Sequence, residues 1–257
     1  MTARFSTGFR NAINKEGGID SSLRNGSITI YTGTQPATAD AAATGTPLCL
    51  LTNNAGALTY EVQASGNITL TGGASGSLNT LTVNSVDILG ASVPFNSTLT
   101  QTAADIASQI NRFKSEPDYI ATSSGAVVTI LALPGKGTAP NGFVVAQTTT
   151  TLTATTGNMA GGVAPVNGLL FDQSIAGVLS KLATQTWSGV NGAAGSAGWA
   201  RFHGSVTDAD ALDSTGQFIR VDGAVATSGA EYNFNSVAFA SGATTTLANW
   251  SITIPAQ

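Results

Sequence analysis

Few side chains in this sequence could do chemistry. His203 is the single histidine and Cys49 the single cysteine. His203 lies in a segment where Trp199, Arg201, His203 and Ser205 alternate with Ala200, Phe202, Gly204 and Val206. A catalytic imidazole needs a nucleophile and an orienting acid beside it, and no Gly-x-Ser-x-Gly elbow occurs. The alternation instead sets Trp199, Arg201 and His203 on one face of a strand, as candidate surface contacts. Asp208, Asp210 and Asp213 cluster in a Thr-Asp-Ala-Asp-Ala-Leu-Asp-Ser-Thr-Gly stretch that invites a Ca2+ reading. An EF-hand loop needs a third ligand where Leu212 stands, and a closing Glu. A solvated turn with an Asx cap outweighs the cation site. Gly135-Lys136-Gly137-Thr138 lacks the spacing of a phosphate loop and has strands after it. Cys49 sits in an apolar run, as an inert buried thiol would. Trp187, Trp199 and Trp250 are first read as core, with Arg201 and Asn249 leaving a sugar-stacking role open.

Composition narrows the classes further. Of 257 residues only 9% are charged, against about 25% in an ordinary domain. The formal net charge is −4, which argues against a phosphate-binding surface, so no nucleic acid partner is expected. One His and one Cys fall short of a zinc set of about four ligands, and Cys49 has no partner for a disulfide within its chain. No cofactor, metal or catalytic residue is expected. No apolar run is long enough to span a bilayer, and no secretory h-region is visible at the start. The chain is expected to be made in a cytoplasm, without a membrane partner.

The spacing predicts a helix near residues 4–16, from Phe5, Phe9 and Ile13 at i, i+4 and i+8, with Gly17-Gly18 stopping it. A strand follows over 27–32, then a long Thr/Ala/Gly/Pro loop at 33–46, which is expected to be functional or to reach a neighbour. Pro47–Leu51 reads as a strand. From Thr52 the chain turns Thr- and Ser-rich. Residues 78–89 read as a hairpin turning at Asn84-Ser85. Leu99, Ala103, Ile106, Ile110 and Phe113 mark a helix with Thr100 as N-cap and Pro117 beyond its end. A second hairpin turns at Ser124-Gly125. Past Gly161-Gly162 the chain is nearly all short strands, ending with one over 245–254. The predicted architecture is mainly β. An antiparallel β-sandwich or jelly-roll-like base comprises residues 1–51 and 165–257, and a small α+β domain is inserted at 52–164.

Two stretches carry a resemblance. Leu-Thr-Val-Asn-Ser-Val-Asp-Ile-Leu (81–89), Ile-Ala-Ser-Gln-Ile-Asn (106–111) and Asp-Tyr-Ile-Ala-Thr-Ser-Ser-Gly-Ala-Val-Val-Thr-Ile (118–130) resemble the strand–helix–hairpin "IN motif" of flagellar hook-associated proteins, which also occurs in phage virion proteins. Ile110 and Asn111 match its Ile-Asn pair. Ile110 would close the apolar helix face and Asn111 would cap the helix C-terminus. The flanks resemble structural proteins of tailed bacteriophages. The carriers are Arg-Phe-Ser-Thr-Gly-Phe-Arg-Asn-Ala (4–12), Ile-Tyr-Thr-Gly-Thr-Gln-Pro-Ala-Thr-Ala-Asp-Ala-Ala (30–42), Gly-Trp-Ala-Arg-Phe (198–202) and Val-Asp-Gly-Ala-Val-Ala-Thr-Ser-Gly-Ala-Glu-Tyr-Asn-Phe (221–234).

This resemblance implies a non-enzymatic virion protein, either a capsid decoration or cement subunit or a tail, collar or fibre component. Its partners would be other virion proteins and copies of itself, with a trimer as the first expectation and a host glycan as a further ligand. The helix at 4–16 and the loop at 33–46 are the candidate arms. They nominate Arg4, Phe5, Phe9, Arg10, Tyr31, Gln35 and Pro36 as assembly contacts. The scarce charges support a two-ended molecule. Arg4, Arg10, Lys15, Glu16, Asp20 and Arg24 crowd the start, whereas residues 137–171 carry none.

Overall fold

The computed structural model describes residues 3–16 and 18–253. Gly17, expected to stop the first helix, and Ile254, expected to close the last strand, lie outside these. The chain divides into two compact units, one of residues 1–61 and 165–257 and the other of residues 62–164. The base unit runs ten residues past the expected break at Thr52, because the following residues are tied to it by backbone hydrogen bonds. Asn53 N–H donates to Asn167, Asn54 N–H to Thr186, and Thr59 and Val166 exchange bonds at 3.1 Å.

In chain order the base unit begins with β1 (Arg4–Phe5), α1 (Thr7–Glu16), α2 (Ile19–Leu23), β2 (Ser27–Thr32) and β3 (Pro47–Asn53). The second unit contains β4 (Ser65–Gly72), β5 (Ser77–Val83), β6 (Val86–Asp87), β7 (Val93–Pro94), α3 (Leu99–Arg112), β8 (Tyr119–Ser124), β9 (Val127–Ala132), β10 (Val145–Thr150) and β11 (Thr153–Ala160). The base unit resumes with β12 (Val178–Ser180), β13 (Trp187–Val190), β14 (Gly195–His203), β15 (Arg220–Ala226), β16 (Tyr232–Asn233), β17 (Ala238–Phe239), β18 (Thr244–Leu247) and β19 (Ser251–Thr253). The protein is mainly β, built of antiparallel sheets, with one parallel pair between β15 and β16.

The base unit is organised by a nine-stranded sheet ordered β1-β15-β14-β2-β3-β13-β18, with β16 and β17 branching from it. Because side chains alternate along a strand, one set of rows forms an apolar face: Ile28, Ile30, Cys49, Leu51, Trp187, Phe202 and Val221 all lie in one buried core. Phe9 of α1 and Leu23 of α2 pack into it, as do Leu179 of β12 and Trp250 before β19. Phe171, Trp187, Phe202 and Trp250 meet there with ring centroids 5.4–5.9 Å apart, inside the range of favourable aromatic pairs. Trp187 and Trp250 are therefore core, and Phe9 is core rather than an assembly contact. β14 shifts register between Ala197 and Trp199 where it crosses β2. Gly198 permits this, since a Cβ there would overlap the Gly33 carbonyl oxygen.

The second unit has its own core of Ile68, Leu81, Val83, Ile106, Ile110, Tyr119, Val128, Ile130 and Met159. These come from two sheets, β10-β5-β6 and β11-β4-β9-β8, and from α3. The N-cap of α3 is Thr98, whose hydroxyl accepts from Gln101 N–H at 3.1 Å; the expected cap, Thr100, lies inside the first turn. Asn111 does not cap the helix. Its amide donates to the Ala121 carbonyl and accepts from the Ala121 N–H, both at 2.8 Å. An exposed strand edge is open to further pairing, and Asn111 closes the edge of β8 at that residue by acting as a backbone would.

Candidate functional site

The opposite face of the nine-stranded sheet is polar, yet it is buried. Strand register sets out three rows. Ala224, Trp199 and Tyr31 form one; Arg4, Asp222, Arg201, Thr29 and Leu50 the next; and Arg220, His203 and Ser27 the third. Arg201, Arg220 and Asp222 are wholly buried and His203 is 3% exposed. What covers them is the long loop at 33–46 together with the segment 207–218. The sequence expectation of a contact surface at Trp199, Arg201 and His203 is thus overturned, because these residues hold a roof over their own sheet.

The roof is held mainly through its backbone. Arg201 grips Asp222 with two bonds, Nε at 2.7 Å and Nη2 at 2.8 Å, and Nη2 also donates to the Ala41 carbonyl at 3.1 Å. Arg220 grips Asp208 twice, both at 2.6 Å, and reaches the Ala211 carbonyl at 2.9 Å. Trp199 Nε1 donates to the Thr44 carbonyl at 3.2 Å, and its ring stacks on Tyr31 at 4.5 Å. Arg4 donates to the carbonyls of Gln35 and Pro36. Asp40 accepts from Thr7 N–H and Oγ1 at 2.7 and 2.8 Å, joining the loop to the start of α1. The loop therefore folds onto its own unit and is not an arm. Tyr31, Gln35 and Pro36 are buried beneath or within it. Of the nominated assembly contacts, Phe5 and Arg10 stay exposed and Arg4 is half-buried.

Asp210 is the hub. Its Oδ1 accepts from Arg201 Nη1 at 3.0 Å and meets His203 Nε2 at 2.9 Å, while Oδ2 accepts from Tyr31 Oη at 2.5 Å. An ionised carboxylate only accepts, so Nε2 of His203 carries the proton. Burial alone would raise the Asp210 pKa, but the bonds from His203, Tyr31 and Arg201 outweigh it and hold the carboxyl well below the usual carboxylate range. Burial and the adjacent Asp210 push the Tyr31 phenol upward. Asp210 takes φ +58, a left-handed conformation that Asp tolerates better than most residues.

This arrangement has little chemical capacity. His203 and Asp210 have the pairing of a general base and its orienting acid, but an imidazole enclosed to this degree cannot meet a substrate. Among the described residues, His203, Asp208 and Asp210 are the one group whose ligand atoms come within 4.8 Å of one another. Both carboxylates are already engaged by Arg220 and Arg201, so a cation would have to displace a buried guanidinium. Asp213 stands apart from this group. Its carboxylate caps the turn by accepting from Thr215, Gly216 and Phe218 N–H at 2.8–3.1 Å, as the Asx reading expected. Cys49 is 4% exposed, and burial pushes its thiol up to about 11.

The chain matches no known protein family, no curated protein and no solved structure. Among the described residues, no helix is long and apolar enough to cross a membrane.

The roles of Asp222, Asp208 and Asn111 were not read from the sequence. A signal was present for Asp222: Arg201 and His203 on β14, and Arg220 and Asp222 on β15, are spaced by two residues between apolar or small neighbours. Paired strands with charges at this spacing and opposite signs are suited to a shared interior face.

Proposed function

We propose that this chain is a non-enzymatic structural protein of a tailed-bacteriophage particle, most concretely a capsid decoration or cement subunit. The observation that carries the reading is the outward face of the sheet β11-β4-β9-β8. Its rows are Thr155, Thr69, Val127 and Ser124, then Gly157, Asn67, Thr129 and Thr122, then Ser65, Leu131 and Ile120. Every one of these residues is uncharged. Such a face can be repeated many times on one particle without like-charge repulsion, while its hydroxyl and amide groups stay hydrated. Two further points support the reading. The ionisable groups at the heart of the base unit are committed to holding loops, and the segments at 4–12, 30–42, 198–202 and 221–234 resemble phage structural proteins.

In this reading the partners are other virion proteins and copies of the same chain, arranged as a trimer, with neither nucleic acid nor membrane involved. The chain is made in the host bacterial cytoplasm and resides in the virion. The grip on the particle falls to the exposed Phe5 and Arg10. Deleting residues 1–16 would not test this, since β1 is a strand of the main sheet and Phe9 is core. Counting copies on purified particles tests it directly. A decoration protein on repeated lattice positions is present on the order of hundreds of copies, whereas about six or twelve would assign it to the tail, collar or fibre. Arg10→Glu should lower occupancy on purified capsids while leaving thermal unfolding nearly unchanged, whereas Phe5→Ser would also remove the ring contact of Phe5 with Phe9; full occupancy of Arg10→Glu would refute the role of that residue.

A further inference from the structure

A cleft of about 540 Å3 opens between β12, the turn before β16 and the approach to β19. It lies within the base unit and away from the buried ion network, and its volume falls in the range of small-ligand sites. Its lining is both apolar and polar. Ala183, Ala230 and Ala248 give small apolar surfaces beside the largely buried Trp250, whose ring stacks on Tyr232. The polar groups are only partly used. Glu231 accepts from Ala224 N–H through Oε2 at 2.9 Å, which leaves Oε1 for a ligand. Lys181 donates to the carbonyls of Gln185 and Leu182, which leaves the third ammonium hydrogen. Asn249 is exposed, and its amide makes no hydrogen bond among the described residues.

We propose that this cleft binds a neutral saccharide, as one sugar or the end of a glycan chain. One cation and one anion line it, so the lining carries no net charge and suits a ligand that carries none. Sugar hydroxyls donate and accept at once, which suits a carboxylate, an ammonium and a primary amide set together. The C–H face of a sugar ring suits the three alanines. This places a saccharide site at Trp250 and Asn249 instead of at Trp199, which the loop at 33–46 covers. The inference stands on the cleft alone and does not depend on where the chain sits in a particle.

The test uses the full chain and a panel of methyl glycosides of neutral hexoses and N-acetylhexosamines, read by saturation-transfer NMR and then by titration. At least one member should bind with a Kd on the order of millimolar. Asn249→Ala and Glu231→Gln should each weaken it about tenfold, the loss expected for a ligand hydrogen bond, with tryptophan-monitored unfolding unchanged. Glucuronic acid should not compete. No binding across the panel, binding that survives both substitutions, or equal binding of glucuronic acid would each overturn the proposal.

Discussion

Asp222→Ala tests the ionic roof most sharply. Asp222 and Arg201 are both wholly buried and joined by two bonds at 2.7 and 2.8 Å. Removing one partner of a buried pair costs about 3–5 kcal/mol, because the other charge is left uncompensated. Here Arg201 keeps Asp210 at 3.0 Å and the Ala41 carbonyl at 3.1 Å, so the lower end, about 3 kcal/mol, applies. For a unit of this size each kcal/mol lowers Tm by about 2–4 °C, giving a fall of about 6–12 °C. The readout is unusually clean. Trp187, Trp199 and Trp250 all belong to the base unit, and the second unit has no tryptophan. Tryptophan fluorescence on heating therefore reports the base unit, while calorimetry on the same sample shows both units. The base transition should move and the second unit's own transition should not. The exposed Arg24–Asp20 pair, with side chains 40% and 39% accessible, is the control; Arg24→Ala should cost under about 1 kcal/mol. If Asp222→Ala moves the tryptophan transition no further than Arg24→Ala does, the buried network is not what holds the roof.

Three other outcomes follow from single groups. Asn111→Ala should lower the second unit's calorimetric transition by about 1–3 kcal/mol, the cost of leaving buried backbone groups unpaired, and speed hydrogen exchange at Ala121, with the tryptophan signal unmoved; unchanged exchange would show that the edge of β8 is protected by something else. Asp210 has a folded-state pKa below its unfolded value near 3.9, so its ionised form stabilises the base unit above about pH 4, and that contribution is lost as pH falls further. Asp210→Asn should flatten the tryptophan-monitored loss of stability below pH 4, and an unaltered slope would remove Asp210 from its causes. Cys49, buried and with its thiol raised to about 11, should resist thiol reagents at pH 8 in the folded protein and react fully in denaturant; rapid stoichiometric labelling of the native chain would contradict its burial.

Strand existence was largely legible because it rests on local alternation. Ser27–Thr32, the hairpin at Asn84-Ser85 and the helix ending near Arg112 are periodic or carry their own turn residues. What alternation could not decide was which side of a strand faces water. Trp199, Arg201 and His203 do share one face, as their spacing required, but that face is roofed, and the roof is chain from 33–46 that carries no pattern of its own. The same loop shows why the arm was misread. A Thr/Ala/Gly/Pro run without large apolar anchors looks free, whereas its fastening is supplied by side chains about 160 residues later in the sequence. The division near Thr52 was set ten residues early for a similar reason, since composition changes there while the backbone bonds to Asn167 and Thr186 do not.

The scarcity of charge acquires a physical meaning from this. Replacing a buried ion pair by well-packed apolar side chains is often neutral or stabilising, so stability alone does not account for Arg201, Arg220 and Asp222 in the interior. The loop at 33–46 could not use that alternative. It offers methyl groups and backbone, with Pro36 and Ala39 as its buried apolar residues, and the carbonyls it brings down onto the sheet need donors once water is excluded. A guanidinium has five donors in a rigid fork, enough to bind a carboxylate on the sheet and a loop carbonyl together, as Arg201 does with Asp222 and Ala41. The carboxylates keep those guanidiniums from being buried as lone charges. Glu61 and Asp213 are buried in the base unit as well. A chain arranged this way uses its few interior charges to fasten a loop that has no large apolar anchor of its own.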